Sequence, residues 1–134
     1  MSLSSEVYWL VLTCLMTGLL WVPYIINRII EQSPLPAIWN PYPDGGAKRA
    51  WAQRMMRAHE NAVENLVIFA PLVILIELLN LNSETSAWAV LIYFYARLGH
   101  FIVMSFAIPV LRVVFFMTGF AAQLTLVLQL LGYF

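Results

Sequence analysis

The sequence predicts an all-α integral membrane protein, built as a bundle of four transmembrane helices. Of its 134 residues, 62% are hydrophobic and only 10% are charged, whereas about a quarter of the residues of a soluble domain are charged. The apolar residues form four runs of the length that a helix needs to cross a bilayer, about 20 residues. Lipid therefore has to cover the outside of the fold, and the chain length suits a single domain.

The first span is predicted at residues 7–30, and Pro23 within it either kinks the helix or marks its interfacial end. The first loop is predicted at residues 31–60. Between residues 32 and 46 this loop is rich in proline and glycine, a composition that excludes a membrane helix. From residue 48 a polar helix is expected to lead into the second span.

The remaining spans are predicted at residues 61–81, 87–108 and 109–131. Ser83 and the polar residues after it offer an N-cap for the third span. Pro109 suits the first turn of the fourth helix, because the N–H that proline lacks would have no intrahelical partner there.

The basic residues predict the orientation of the chain in the membrane. Six of the seven basic residues lie around the first loop or after the third span: Arg28, Lys48, Arg49, Arg54, Arg57 and Arg112. The seventh, Arg97, lies within a span. Because cytoplasmic loops carry the excess of Lys and Arg, we expect the first and third loops in the cytoplasm and both termini outside.

Two stripes of polar residues interrupt the apolar runs. Arg57, Asn61 and Glu64 follow one another at i, i+4 and i+7, so they share one side of a helix. Arg97 and His100 form a second stripe at i, i+3. A charged side chain in the middle of a bilayer costs about 3 kcal/mol or more, so we expect the charged residues to face the inside of the bundle, in its cytoplasmic half.

Positive charge is in excess among these residues, since Arg97 and Arg112 join Arg57 against Glu64 alone. One interpretation is structural, with ion pairs and hydrogen bonds joining the helices and Glu64 neutralising Arg97 or Arg57. The other is that surplus arginine in a cleft of low dielectric binds an anion. Such a ligand would have a carboxylate for arginine and an amino group for Glu64.

Three sequence blocks carry recognisable motifs. Residues 57–65 read R-A-H-E-N-A-V-E-N, residues 97–100 read R-L-G-H, and residues 109–112 read P-V-L-R. These blocks resemble the MAPEG family, the membrane-associated proteins of eicosanoid and glutathione metabolism, and in particular its microsomal glutathione transferases. The blocks occur in order on the second, third and fourth spans, and the resemblance in overall plan covers the whole chain.

The resemblance implies a homotrimer in the lipid bilayer, with glutathione bound as co-substrate between subunits on the cytoplasmic side. It implies that Arg112 is the catalytic residue that faces the thiol. The glutathione contacts that it implies are Arg28, Arg57, His59, Asn61, Glu64, Arg97 and His100. The expected activity is attack of the glutathione thiolate on a lipophilic electrophile, with reduction of peroxides as a further expectation.

Three positions depart from the family pattern and leave an alternative open. Met104, Val113 and Phe116 stand where relatives have tyrosine or another hydroxyl residue. The alternative is a non-catalytic membrane protein of this type that binds glutathione or lipid. A transporter or channel would need polar residues along the whole path, and the outer half offers little beyond Glu77.

Two further classes of function are not expected. Seven basic residues balance seven acidic ones, so the chain lacks the basic excess of a nucleic-acid-binding protein. His59 and Glu60 begin a pattern similar to the zinc-binding H-E-x-x-H, but Val63 occupies the place of the second histidine. We therefore expect neither a nucleic-acid partner nor a metal.

Overall fold

The computed structural model describes residues 2–39 and 47–134, which form helices joined by short connections. In chain order the helices are α1 (Ser5–Leu19), α2 (Val22–Gln32), α3 (Pro34–Trp39), α4 (Ala50–Leu78), α5 (Glu84–Ser105) and α6 (Pro109–Leu130). Four segments are long and apolar enough to cross a membrane, which confirms the predicted number of spans. The first of them consists of α1 and α2 together, and α4, α5 and α6 supply one each.

The first span is interrupted rather than continuous, because α1 ends at Leu19 and α2 begins at Val22. Pro23 lies in the first turn of α2. A proline in a helix interior removes a hydrogen bond and its ring clashes with the preceding turn, whereas both problems vanish in the first turn. Of the two predicted roles for Pro23, an interruption within the span is the observed one.

The predicted first loop contains a helix that the sequence analysis missed. α3 occupies Pro34–Trp39, and Ser33, with a φ of 72°, separates it from α2. The first residues of a helix have N–H groups without intrahelical partners, so Pro34 and Pro36 do not exclude a helix this short. The rest of the predicted proline- and glycine-rich loop, residues 40–46, lies outside the described residues.

α4 begins with the polar segment and continues without a break into the second span, as predicted. A side chain near the end of α2 binds the N-terminus of α4. The carboxylate of Glu31 accepts hydrogen bonds from the backbone N–H groups of Lys48, at 3.1 Å, and Arg49, at 3.2 Å. A carboxylate in this place satisfies free N–H groups and interacts favourably with the helix dipole, so Glu31 joins α2 to the start of α4.

Ser83 and Pro109 begin the last two helices as predicted. Ser83 is the N-cap of α5, and the side chains of Ser83 and Ser86 each accept a hydrogen bond from the backbone N–H of the other. Pro109 is the first residue of α6. The two helices approach closely at Gly99, where an added Cβ would lie only 2.5 Å from the ring of Phe115.

Polar side chains close the bundle at the end that holds both termini. Glu77 accepts hydrogen bonds from the hydroxyl of Ser4, at 2.7 Å, and from the side-chain amide of Asn82, at 2.8 Å. Glu6 is buried and accepts a hydrogen bond from the hydroxyl of Ser86. We call this the terminal end, and the opposite end, where α5 ends and α6 begins, the α5–α6 end.

The packing of the core differs between the two halves of the bundle. In the terminal half, Phe69 and Tyr93 are buried and their rings stack with centroids 3.7 Å apart. Nearer the α5–α6 end, α4 packs through the small side chains of Ala58 and Ala62, which join a cluster with Phe101. Small residues let membrane helices approach closely, and the buried polar residues Arg97 and His100 lie in this second half.

The close approach at Gly99 leads to a first testable prediction. Gly99→Ala is expected to lower the free energy of unfolding by about 1–3 kcal/mol, because the Phe115 ring has to move out of its packed position. The midpoint of thermal unfolding in detergent measures this effect. The matched control is Gly18→Ala in α1, where nothing lies within 4 Å of the added Cβ. Equal midpoints for the two variants would contradict the importance of this contact.

Candidate functional site

Arg97 and His100 are both buried in the bundle, one turn apart on α5 as their spacing predicts. Only 2% of the Arg97 surface is exposed. Its Nη2 donates a hydrogen bond to Oδ1 of Asn61 on α4, at 2.5 Å, and lies 3.5 Å from Nδ1 of His100. The contact with Asn61 joins α4 to α5 in the half of the bundle nearer the α5–α6 end.

The charge of Arg97 is not neutralised by a carboxylate from residues 2–39 or 47–134, and its Nε is buried without a hydrogen-bond partner. Its guanidinium lies 6.0 Å from the ring centre of Phe116, within the range of a cation–π contact. The ion pair between Glu64 and Arg97 that the sequence left open is therefore not formed. A neutral amide, that of Asn61, binds this cation instead.

A cleft of about 250 Å³ opens between α4, α5 and α6 beside these residues. We call it the cationic cleft, and it is lined by Asn61, His100, Met104, Arg112, Val113 and Phe116. Arg112 lies in the first turn of α6 and is exposed, and within the described part of the chain its side chain forms no hydrogen bond or ion pair. None of the described lining residues is acidic, so the cleft has a positive charge available to a ligand.

A second cleft, of about 400 Å³, lies between α2 and another side of α4. We call it the tyrosine–histidine cleft, and it is lined by Tyr24, His59, Glu60, Val63 and Glu64. The hydroxyl oxygen of Tyr24 lies 2.8 Å from Nδ1 of His59. The predicted site residues are thus divided between two clefts, since His59 and Glu64 line this one.

The expectation that the charged residues face the inside of the bundle is wrong for Arg57, Glu64 and Arg112, which are exposed on the single chain. In this part of α4 the inward side is occupied by Ala58 and Ala62, which are 0% and 3% exposed. A long side chain near the end of a span can extend along its apolar stem to the polar interface. Exposure there costs less than in the middle of the bilayer, so these residues need no place in the core.

Tyr24 is the residue that sequence analysis gave no part in the site. It precedes Arg28 on α2 by four residues, so the two lie on one side of that helix. Arg28 is half-buried and is one of the predicted glutathione contacts. The spacing between Tyr24 and Arg28 was the signal available in the sequence, but only the structure brings Tyr24 to His59.

The fold and its clefts define a class of protein, an integral multi-pass membrane protein with four spans and a cationic cleft near one end. The MAPEG family model matches residues 7–132, which is nearly the whole chain. The chain therefore belongs to the MAPEG family, as its three sequence blocks predict. No curated protein and no solved structure matches it. Membership indicates a membrane function related to glutathione or eicosanoid metabolism.

Proposed function

We propose that this chain is a glutathione-dependent membrane transferase, which activates the glutathione thiolate for attack on a lipophilic electrophile. The observation that carries the proposal is the position of Arg112. Its guanidinium is exposed at the N-terminus of α6, on the edge of a cleft whose described lining includes no carboxylate. A fixed positive charge at a helix N-terminus is an environment in which an anion is stable.

Ionisation of a thiol to its nucleophilic thiolate is favoured in such an environment. The pKa of a free cysteine thiol is about 8.5, and the nucleophile is the thiolate. A guanidinium and a helix dipole that act together on the sulfur favour the charged form, so more of the bound glutathione is reactive at neutral pH. Arg97, which is buried without a carboxylate partner among the described residues, adds positive potential on the same side.

The remaining parts of the site follow from the same proposal. Glu64 binds the ammonium group of glutathione, and Arg57, Asn61 and His100 surround the ligand with donors. Both clefts open on the surface of a single chain, and a homotrimer would cover them with neighbouring subunits. The first and third loops, and with them the site, lie on the cytoplasmic side, and the electrophile arrives from the bilayer. Reduction of peroxides by the same thiolate is a further activity of this proposal.

One observation favours a second candidate, a non-catalytic protein that binds glutathione or lipid. The described neighbours of Arg112 in the cationic cleft include Met104, Val113 and Phe116, none of which has a hydroxyl group to assist the thiolate. Ultraviolet absorbance separates the two candidates. A transferase raises the thiolate absorbance when glutathione is added, and a protein that only binds glutathione as the thiol does not.

Calorimetric titration of the detergent-solubilised chain with glutathione tests the proposed function. We expect saturable binding, and a Kd about tenfold higher or more for Glu64→Gln, because the amide keeps an acceptor but loses the negative charge that pairs with the ammonium. Glu84→Gln is the matched control, since Glu84 is an exposed acid in the first turn of α5, outside both clefts. Absence of binding, or an equal Kd for both variants, would refute the assignment of Glu64.

A further inference from the structure

The tyrosine–histidine cleft contains groups for both signs of charge. The carboxylates of Glu60 and Glu64 share it with the hydroxyl of Tyr24 and the imidazole of His59. Arg28 lies one turn beyond Tyr24 on α2. The two carboxylates can accept hydrogen bonds from a cationic group, and the hydroxyl and the imidazole can donate to an anionic group, within a volume of about 400 Å³. This composition fits a small zwitterion better than it fits a simple anion or a simple amine.

The contact between Tyr24 and His59 determines how the tyrosine can serve a ligand. A tyrosine hydroxyl has one proton, and Nδ1 of histidine donates or accepts according to the tautomer. When Nδ1 carries the ring proton, His59 donates to the Tyr24 oxygen across the observed 2.8 Å. The hydroxyl proton of Tyr24 is then available to an acceptor in the cleft.

We propose that Tyr24, positioned by His59, binds the α-carboxylate at the glutamyl end of glutathione, while Glu64 binds the adjacent α-ammonium. The inference rests on the proposed function and names the residue that determines specificity at one end of the ligand. The two charged groups of an amino acid are attached to one carbon atom, so their partners have to stand close together. Tyr24 and Glu64 line the same cleft, which is the arrangement that this condition requires.

Calorimetric titration of the full chain in detergent tests the inference with glutathione and two analogues. One analogue lacks the α-carboxylate and carries 4-aminobutyrate in place of γ-glutamate, and the other lacks the α-amino group and carries glutarate. For Tyr24→Phe, the Kd for glutathione is expected to rise about tenfold or more, since a hydrogen bond to a charged group is lost. The Kd for the analogue without the α-carboxylate is expected to stay unchanged in Tyr24→Phe.

Two sets of control variants separate an effect on glutathione binding from an effect on folding. Tyr95→Phe removes an exposed hydroxyl on α5 that lies outside both clefts and should keep the original Kd for glutathione. His59→Asn places an amide donor where Nδ1 stood and should keep most of the affinity, whereas His59→Ala should resemble Tyr24→Phe. The midpoint of thermal unfolding shows whether each variant is folded.

Each result supports or overturns a stated part of the inference. Glutathione binding by Tyr24→Phe that equals the original overturns it, and so does an equal loss for glutathione and for the analogue without the α-carboxylate. In both cases the proposed function stands if Glu64→Gln still weakens binding. An equal loss in His59→Asn and His59→Ala overturns the positioning role of His59. If the unchanged chain binds no glutathione, the proposed function fails first and the inference fails with it.

Discussion

Arg112→Ala is expected to lower the turnover of glutathione conjugation by about 10²–10³-fold, the loss typical when one group that stabilises a developing anion is removed. The side chain forms no hydrogen bond or ion pair within the described residues and is exposed, so its removal leaves the packing of the bundle intact. Glutathione should still bind through the other groups of the site. Conjugation to a chromogenic aryl halide measures the turnover, and thiolate absorbance measures the ionised fraction of bound glutathione.

Two variants give this experiment its controls. Arg112→Lys keeps the positive charge but not the planar pair of donors, so it should retain an intermediate turnover. Arg49→Ala removes an exposed positive charge at the start of α4, outside both clefts, and should conjugate at the original rate. Full turnover in Arg112→Ala would show that another group faces the thiol.

Asn61→Leu is expected to destabilise the fold by about 1.5–3 kcal/mol, the contribution of a hydrogen bond to a charged group. Arg97 donates to Oδ1 of Asn61, and its Nε has no hydrogen-bond partner within residues 2–39 and 47–134. Without the amide, the described residues leave the buried guanidinium the 3.5 Å contact with Nδ1 of His100 and the ring of Phe116 at 6.0 Å. The midpoint of thermal unfolding in detergent should fall markedly.

The same position offers variants in which stability is preserved. Asn61→Asp keeps an acceptor beside Arg97 and adds a counter-charge, so its unfolding midpoint should be at or above the original. The double variant Asn61→Leu with Arg97→Met removes both partners and should recover most of the lost stability, because the guanidinium is then no longer left buried without its acceptor. An unchanged midpoint in Asn61→Leu alone would show that Arg97 does not depend on Asn61.

The two clefts lie on different sides of α4, and a lining residue of one is three positions from a lining residue of the other. Asn61 lines the cationic cleft and Glu64 lines the tyrosine–histidine cleft. Three residues apart on a helix, they differ by about 4.5 Å along the axis and about 60° around it. In our proposals the glutamyl end of glutathione occupies the second cleft, while its thiol reaches Arg112 at the first. Binding and activation are therefore assigned to different residues, and the variants above separate them.

The sequence by itself determined the number of spans, the residues that begin the last two helices, and the family. These features depend on local information, namely the length of apolar runs, the N-cap at Ser83 and the proline at position 109. The spacing of Arg97 and His100 also predicted their common side of α5, since helical periodicity is a property of one segment alone. The family blocks are local in the same sense, and they named most of the predicted site residues.

Only the tertiary structure decided which polar groups meet. It paired Arg97 with Asn61 rather than Glu64, brought Tyr24 to His59, and left Arg57 on the outside. Periodicity fixes where a side chain lies around its own helix, but it does not fix how far that helix is rotated or which neighbour faces it. In a membrane the lipid-facing and protein-facing sides of a helix are both apolar. Hydrophobicity therefore does not indicate how the helix is rotated. The rotation is set by the packing of small residues against neighbouring helices.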